Sequence, residues 1–212
     1  MRFTTESTAS PQANFTRDRL LQALVALYLT VWLALAVSPV DRQDWLLENL
    51  LAVTLVAALV ATYRRFPFSH LSYVLLTAFM ILHAIGAHYT YAKVPFGFWL
   101  KDLLNLDRNH FDRIVHFAYG LLLVYPAREL FIRAAKAKKG WATVIALLAV
   151  TATSGLFEVI ESWVAQIVNP ELGTAYLGTQ GDEWDAQKDM TMAIVGALLT
   201  MMITHVVRKP AR

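Results

Sequence analysis

Apolar residues in this chain fall into six long blocks, at 20–40, 45–63, 70–91, 111–131, 141–168 and 189–207. Each is near the roughly 20 residues that a helix needs to cross a bilayer core. The pattern therefore predicts an all-α, polytopic integral membrane protein, a six-transmembrane-helix bundle. The block at 141–168 is long enough to tilt or to project beyond the bilayer. A polar tail at 1–19 precedes the bundle, and a basic tail at 208–212 follows it. Residues 92–106, with Pro95, Gly97 and Trp99, read as an interfacial loop. Residues 133–140 read as a basic hairpin, and 169–187 as an acidic, Gly-containing loop. Ala34-Leu35-Ala36 resembles a signal-peptidase site. The run is too long for a typical signal core and follows a long polar tail, so an uncleaved first helix is expected.

Composition agrees with this reading. The chain is 57% hydrophobic and 17% charged, against about 45–50% and about 25% in soluble domains. Its net charge of +3 fits basic loops better than a nucleic-acid footprint, because no basic stripe with interleaved aromatics occurs. The absence of cysteine excludes disulfides, thiolate metal sites and a cysteine nucleophile. No phosphate loop, nucleophile elbow or H-E-x-x-H pair is present. Of the 19 Lys and Arg residues, thirteen fall on the N-terminal side of the first span, around 64–65 and 128–139, or after 207. The positive-inside rule then puts both termini in the cytoplasm.

That topology gathers polar residues at the outer face. The stretch Leu106–Tyr119, LDRNHFDRIVHFAY, opens the fourth span. Asp112 and His116 are four apart and share a helix face. His110 stands at the helix entry, and Arg108 and Arg113 bracket the aspartate. His83 lies in the outer half of the third span. Glu158 lies about 10 Å beyond the centre of the fifth, at about 1.5 Å per residue. Glu161 shares its face, and Asp182, Asp185 and Asp189 lead into the sixth span. Across the 133–140 hairpin the fourth and fifth spans are antiparallel neighbours. Asp112 and Glu161 then stand at one height, about 30 Å from the hairpin, and His116 and Glu158 at about 22–26 Å.

Intramembrane carboxylates each cost roughly 2.5–3.5 kcal/mol on insertion scales, so two on one face require a cation, a shared proton or Arg partners. Histidine and carboxylate donors without thiolates suit Zn, Mn, Fe or Mg. The candidate ligands of a divalent metal are Asp112, His116, Glu158, Glu161, His110, His83 and Asp182. Asp185 and Asp189 are candidates for a further ligand or a general base, and Arg108 and Arg113 for holding an anionic headgroup. Structural alternatives stand beside these. Asp182 and Asp185 suit a helix cap, Asp112 suits neutralisation of Arg108 or Arg113, and His83 suits a hydrogen-bonded core histidine. His83 and His88 are five apart and do not share a face on an unbroken helix. The loop at 179–189, with Trp184 among aspartates, is expected to fold back over the bundle mouth.

The segments HAIGAHYTY, RNHFDRIVHFAYG, Glu158-Val-Ile-Glu161 and GTQGDEWDAQKDM, in this order, resemble the YjdF-like family of bacterial inner-membrane proteins, whose domain has no known function. The resemblance runs from about Leu20 to His205 and implies a multi-pass inner-membrane protein, with no reaction attached. A fainter likeness is to VanZ-like membrane proteins, which also pair an Asp/His segment with a later acidic helix start. The leading functional reading is a metal-dependent enzyme in the lipid bilayer, acting on a lipid-linked or headgroup substrate. A transporter or proton-coupled carrier is the alternative, as is a structural, partner-binding protein.

Overall fold

The computed structural model describes residues 14–207, so the readings of residues 1–13 and 208–212 lie outside the described residues. Among the described residues the regular structure is entirely helical. A 3-10 turn at Phe15–Arg17 leads into α1 (Arg19–Ala36), α2 (Arg42–Thr62), α3 (His70–His88), α4 (Pro95–Leu104), α5 (Phe111–Arg133), α6 (Lys139–Ile167), α7 (Pro170–Leu177) and α8 (Asp185–Val207).

Local chemistry sets the helix starts. Asp18 accepts from the Leu21 N–H at 3.0 Å, Asp41 from those of Gln43 and Asp44 at 2.8 and 3.0 Å, and Ser69 from that of Ser72 at 3.3 Å. Each side chain satisfies helix donors that have no partner within the helix.

The segments 92–106 and 169–187 are not loops throughout, because each contains a short helix. α4 starts at Pro95 and stops at Asn105, whose φ of 50° is left-handed. α7 starts at Pro170 and stops at Gly178, φ 57°. Proline in the first turn and a left-handed residue after the last are the usual brackets of a helix. α4 leaves Phe96, Phe98, Trp99, Leu103 and Leu104 exposed, as suits a helix lying in the membrane interface. α8 begins at Asp185, one turn before the apolar block does.

The chain is an all-α, polytopic membrane protein. Five of its helices, α1, α2, α3, α6 and α8, are long and apolar enough to cross a membrane. α5 is long enough at 23 residues but carries Asp112, Arg113 and His116 at one end and Arg128, Glu129 and Arg133 at the other.

α5 is nevertheless the centre of the fold. It packs against α3, α6 and α8, while α1 lies outside on α3, and α2 touches α3 and α7. α5 and α8 approach at backbone distance. A Cβ on Gly120 would sit 1.8 Å from the Ala193 carbonyl oxygen, and one on Gly196 would sit 2.2 Å from that of Phe117. Ala193 and Ala197 are fully buried in this seam, and Thr200 Oγ1 donates to the Leu121 carbonyl at 2.5 Å. Small residues let helices meet closely where lipid supplies no hydrophobic drive, and van der Waals contact then holds them. At the end remote from Asp112, Glu129 ties α5 to the start of α3. It accepts from Ser69 N–H and Oγ at 2.8 and 2.7 Å, from Ser72 Oγ at 2.5 Å, and from Arg133.

Candidate functional site

Five helices bring polar side chains to the end of the bundle where α5 begins. The first two turns of α5 supply Asp112 and His116. α6 runs antiparallel beside it and supplies Glu158 and Glu161 at the same height. His116 is buried, and its Nε2 lies 3.6 Å from Asp112 Oδ1 and 3.4 Å from Glu158 Oε1. Glu158 Oε1 has no hydrogen-bond partner. Asp189, on the second turn of α8, is 2% exposed, and its Oδ1 also lacks a hydrogen-bond partner. Asp112, His116 and Asp189 each offer a donor atom, all within 4.8 Å of one another. No other such group of three occurs among the described residues.

The separations of His116 from Asp112 and Glu158 suit donors shared by a cation. Donors at about 2.0–2.2 Å from a tetrahedral metal stand about 3.3–3.6 Å apart. The His116–carboxylate separations fall there, beyond ordinary hydrogen-bond length. The third donor in this group is Asp189, which the sequence reading had placed as a further ligand or base. Glu161 is buried and lines the adjoining cavity rather than joining the group.

The arginines are engaged elsewhere. Arg108 donates to Asp185 Oδ1 at 2.5 Å, to the Thr179 carbonyl at 2.6 Å and to the Gly178 carbonyl at 3.1 Å. Arg113 donates to Asp182 Oδ2 at 2.5 Å, to Asp185 Oδ1 at 3.1 Å and to His110 Nδ1 at 3.0 Å. These donors hold the 178–185 loop onto the start of α5, while both Nε atoms lack a hydrogen-bond partner and both arginines line a second cleft with His110 and Lys188. Neither forms an ion pair with Asp112 among the described residues, so simple neutralisation does not account for that carboxylate. Lys188 and Arg113 hold the Asp182 carboxyl well below the usual carboxylate range. Asp182 also accepts from the Trp184 N–H at 3.1 Å, a turn role, and Asp185 serves the arginines. His110 faces Arg113, and burial, with the Arg113 charge second to it, lowers its pKa.

His83 is held at both nitrogens. Nε2 donates to the Glu48 carbonyl at 3.1 Å, and Tyr91 O–H donates to Nδ1 at 2.5 Å. It is the hydrogen-bonded core histidine of the structural alternative. His88, on the same unbroken helix, turns to the Leu35 carbonyl at 2.7 Å. The 179–189 loop does fold back. Gln180 brackets Asn109, accepting from its N–H at 3.1 Å and donating to its carbonyl at 2.8 Å, while Trp184 remains exposed.

Sequence reasoning missed the contribution of α2. Asp44 and Glu48 are 1% and 4% exposed, and both Asp44 oxygens and Glu48 Oε2 lack partners. Their four-residue spacing at the start of a span was the available signal. Glu48, His83, Asp112, His116 and Glu161 line the polar end of a cavity of ≈ 300 Å³. Below them its walls are mainly apolar, reaching Leu55 and Leu123, with Tyr119, Thr153 and Ser154 among them.

An all-α membrane bundle with a carboxylate- and imidazole-lined cavity at one end is the class that fold and site define. Within that class, residues 20–210 match the family described as "Predicted membrane protein (DUF2238)", and the chain belongs to it. It is also 39% identical, over 168 residues, to "Inner membrane protein YjdF" of Escherichia coli (strain K12), covering 78% of this chain and 79% of that protein. The four-motif resemblance to YjdF-like proteins is thus confirmed, whereas neither match supports the likeness to VanZ-like proteins. No solved structure matches.

Proposed function

We propose that this protein is a metal-dependent membrane enzyme whose centre, Asp112, His116 and Asp189 with Glu158 beside them, acts on a lipid-linked or headgroup substrate at the outer face of the inner membrane. The observation that carries this reading is His116 Nε2 flanked at 3.6 and 3.4 Å by two carboxylates to which it makes no hydrogen bond. A divalent ion there would polarise a phosphoryl or acyl oxygen and lower the pKa of bound water. Asp112, His116 and Asp189 would hold such an ion, and Glu158, with its unpartnered Oε1 beside His116, would serve as the proton acceptor. Mg, Mn, Fe and Zn all accept this donor set.

The reading includes α5 as a sixth span. Its charges sit at its two ends, and residues 117–125 between them carry none. With six spans both termini lie on one side, and the excess of Lys and Arg at the end remote from the site makes that side the cytoplasm. The cysteine-free chain makes this easy to check. Single cysteines at Ala92 and Glu171 are expected to react with a membrane-impermeant maleimide in intact cells, and one at Ala137 only after lysis. Labelling of Ala137→Cys alone would reverse the orientation.

Activity is tested in proteoliposomes made with bacterial lipid extract. A lipid species should be converted when divalent metal is supplied, and the conversion should stop with EDTA or in the Asp189→Asn variant. An unchanged lipid profile together with metal-independent proton flux would favour the carrier reading instead.

A further inference from the structure

We propose that the cavity takes its ligand sideways from the bilayer, between α2 and α6, and that this ligand is an amphiphile with a hydrocarbon chain and an amine headgroup. The inference rests on the site being a ligand site in the membrane, and it adds the route and the substrate class.

The route follows from how α2 is held. It packs against α3 and α7, and the cavity lies between it and α6. Leu51 on α2 and Leu156 on α6 line the cavity, yet they are 43% and 54% exposed. They form its rim and belong to the apolar outer surface of the bundle, which faces lipid in a membrane. Behind the rim, Leu55, Leu123 and Phe157 continue the apolar wall inward. A chain entering here exchanges lipid contacts for mainly apolar protein contacts, with the hydroxyls of Tyr119, Thr153 and Ser154 as the uncharged polar groups along the wall before the site end.

The headgroup class follows from charge. Glu48, Asp112 and Glu161 line the cavity, and no Lys or Arg does. The nearby arginines are engaged by Asp182, Asp185 and loop carbonyls. Glu48 is 4% exposed, and its unpartnered Oε2 is an acceptor awaiting a donor. Tyr91 and Tyr176 line the same end. Carboxylates among aromatic rings, without a countercharge, are the environment that recognises an ammonium group. A phosphate would meet like charge there, unless the metal met it first. An ammonium fits Glu48 and Glu161, which stand outside the Asp112–His116–Asp189 donor group.

The test uses full-length protein in maltoside detergent, stripped of metal with EDTA, with ligand occupancy read by native mass spectrometry. The probes are hexadecylamine, hexadecyl phosphate and butylamine. Hexadecylamine is expected to bind at least about tenfold more tightly than either of the others. Glu48→Gln, which keeps the shape of the side chain, should erase most of that preference. Leu156→Trp, which narrows the rim, should weaken hexadecylamine while leaving helicity unchanged. Equal or tighter binding of the phosphate overturns the headgroup assignment, and equal binding of butylamine overturns the bilayer route. A Glu48→Gln protein that retains the full preference overturns the role of that carboxylate. Because the metal is absent throughout, failure here is distinguishable from failure of the metal reading.

Discussion

Replacing Gly196 by leucine is expected to be among the most damaging packing changes in the molecule. Even a methyl group there would stand 2.2 Å from the Phe117 carbonyl oxygen and 2.7 Å from the Leu121 nitrogen. Both obstacles are backbone, so no rotamer change relieves the clash, and α8 has to move away from α5. Overpacking usually costs 1–3 kcal/mol, and a forced separation of two helices lies at or beyond the upper end, about 3 kcal/mol or more. The seam also sets the site, because Asp189 rides on α8 while Asp112 and His116 ride on α5. The variant should therefore melt well below wild type and also bind metal more weakly. Gly140→Leu is the control, since a Cβ at Gly140 meets nothing within 4 Å. Thermal unfolding followed by circular dichroism checks the pair, and equal melting of the two variants would contradict the close seam.

Asp189→Asn is expected to have the largest effect on the site. Mutating even the outer partners of metal ligands typically costs about 10–100-fold in affinity. Loss of a direct carboxylate donor should exceed that, to about 100-fold or more. The sign of the stability change separates ligation from architecture. If Asp189 held the fold through Arg113, the change would destabilise the metal-free protein. The separation of 3.8 Å between Arg113 Nε and Asp189 Oδ1 is too long for a hydrogen bond. Asp189 also stands in one donor group with the carboxylate of Asp112. The metal-free variant is accordingly expected to unfold at or above the wild-type temperature while failing to gain stability from added metal.

Much of this was legible in the sequence because membrane helices announce themselves by length. The pairing of Asp112 and His116 with Glu158 followed from two antiparallel spans and a short hairpin, since helix rise fixes height along the axis. Rotation about the axis is a different matter. Which carboxylate completes the donor group depends on how α8 turns toward α5, and that is set by the Gly120–Gly196 seam rather than by charge spacing. Asp189 therefore stands where Glu161 was expected. The arginine partners were also hidden, because choosing among Asp112, Asp182 and Asp185 is a question of side-chain reach across a folded loop. α4 and α7, at 10 and 8 residues, are too short to register as apolar blocks. Their proline starts and left-handed stops were the only local signals. Asp44 and Glu48 were readable as one helix face, but Glu48 was not readable as part of the wall of a cavity whose other side comes from α6.

The most direct measurement is the metal content of purified full-length protein, by mass spectrometry of the elements, after equilibration with a divalent ion and removal of excess. About one tightly held ion per wild-type chain is expected, with a marked loss in Asp189→Asn. A wild-type protein that is folded and monodisperse yet retains no ion would contradict it, and would leave Asp112, His116 and Asp189 as a polar cluster of another kind.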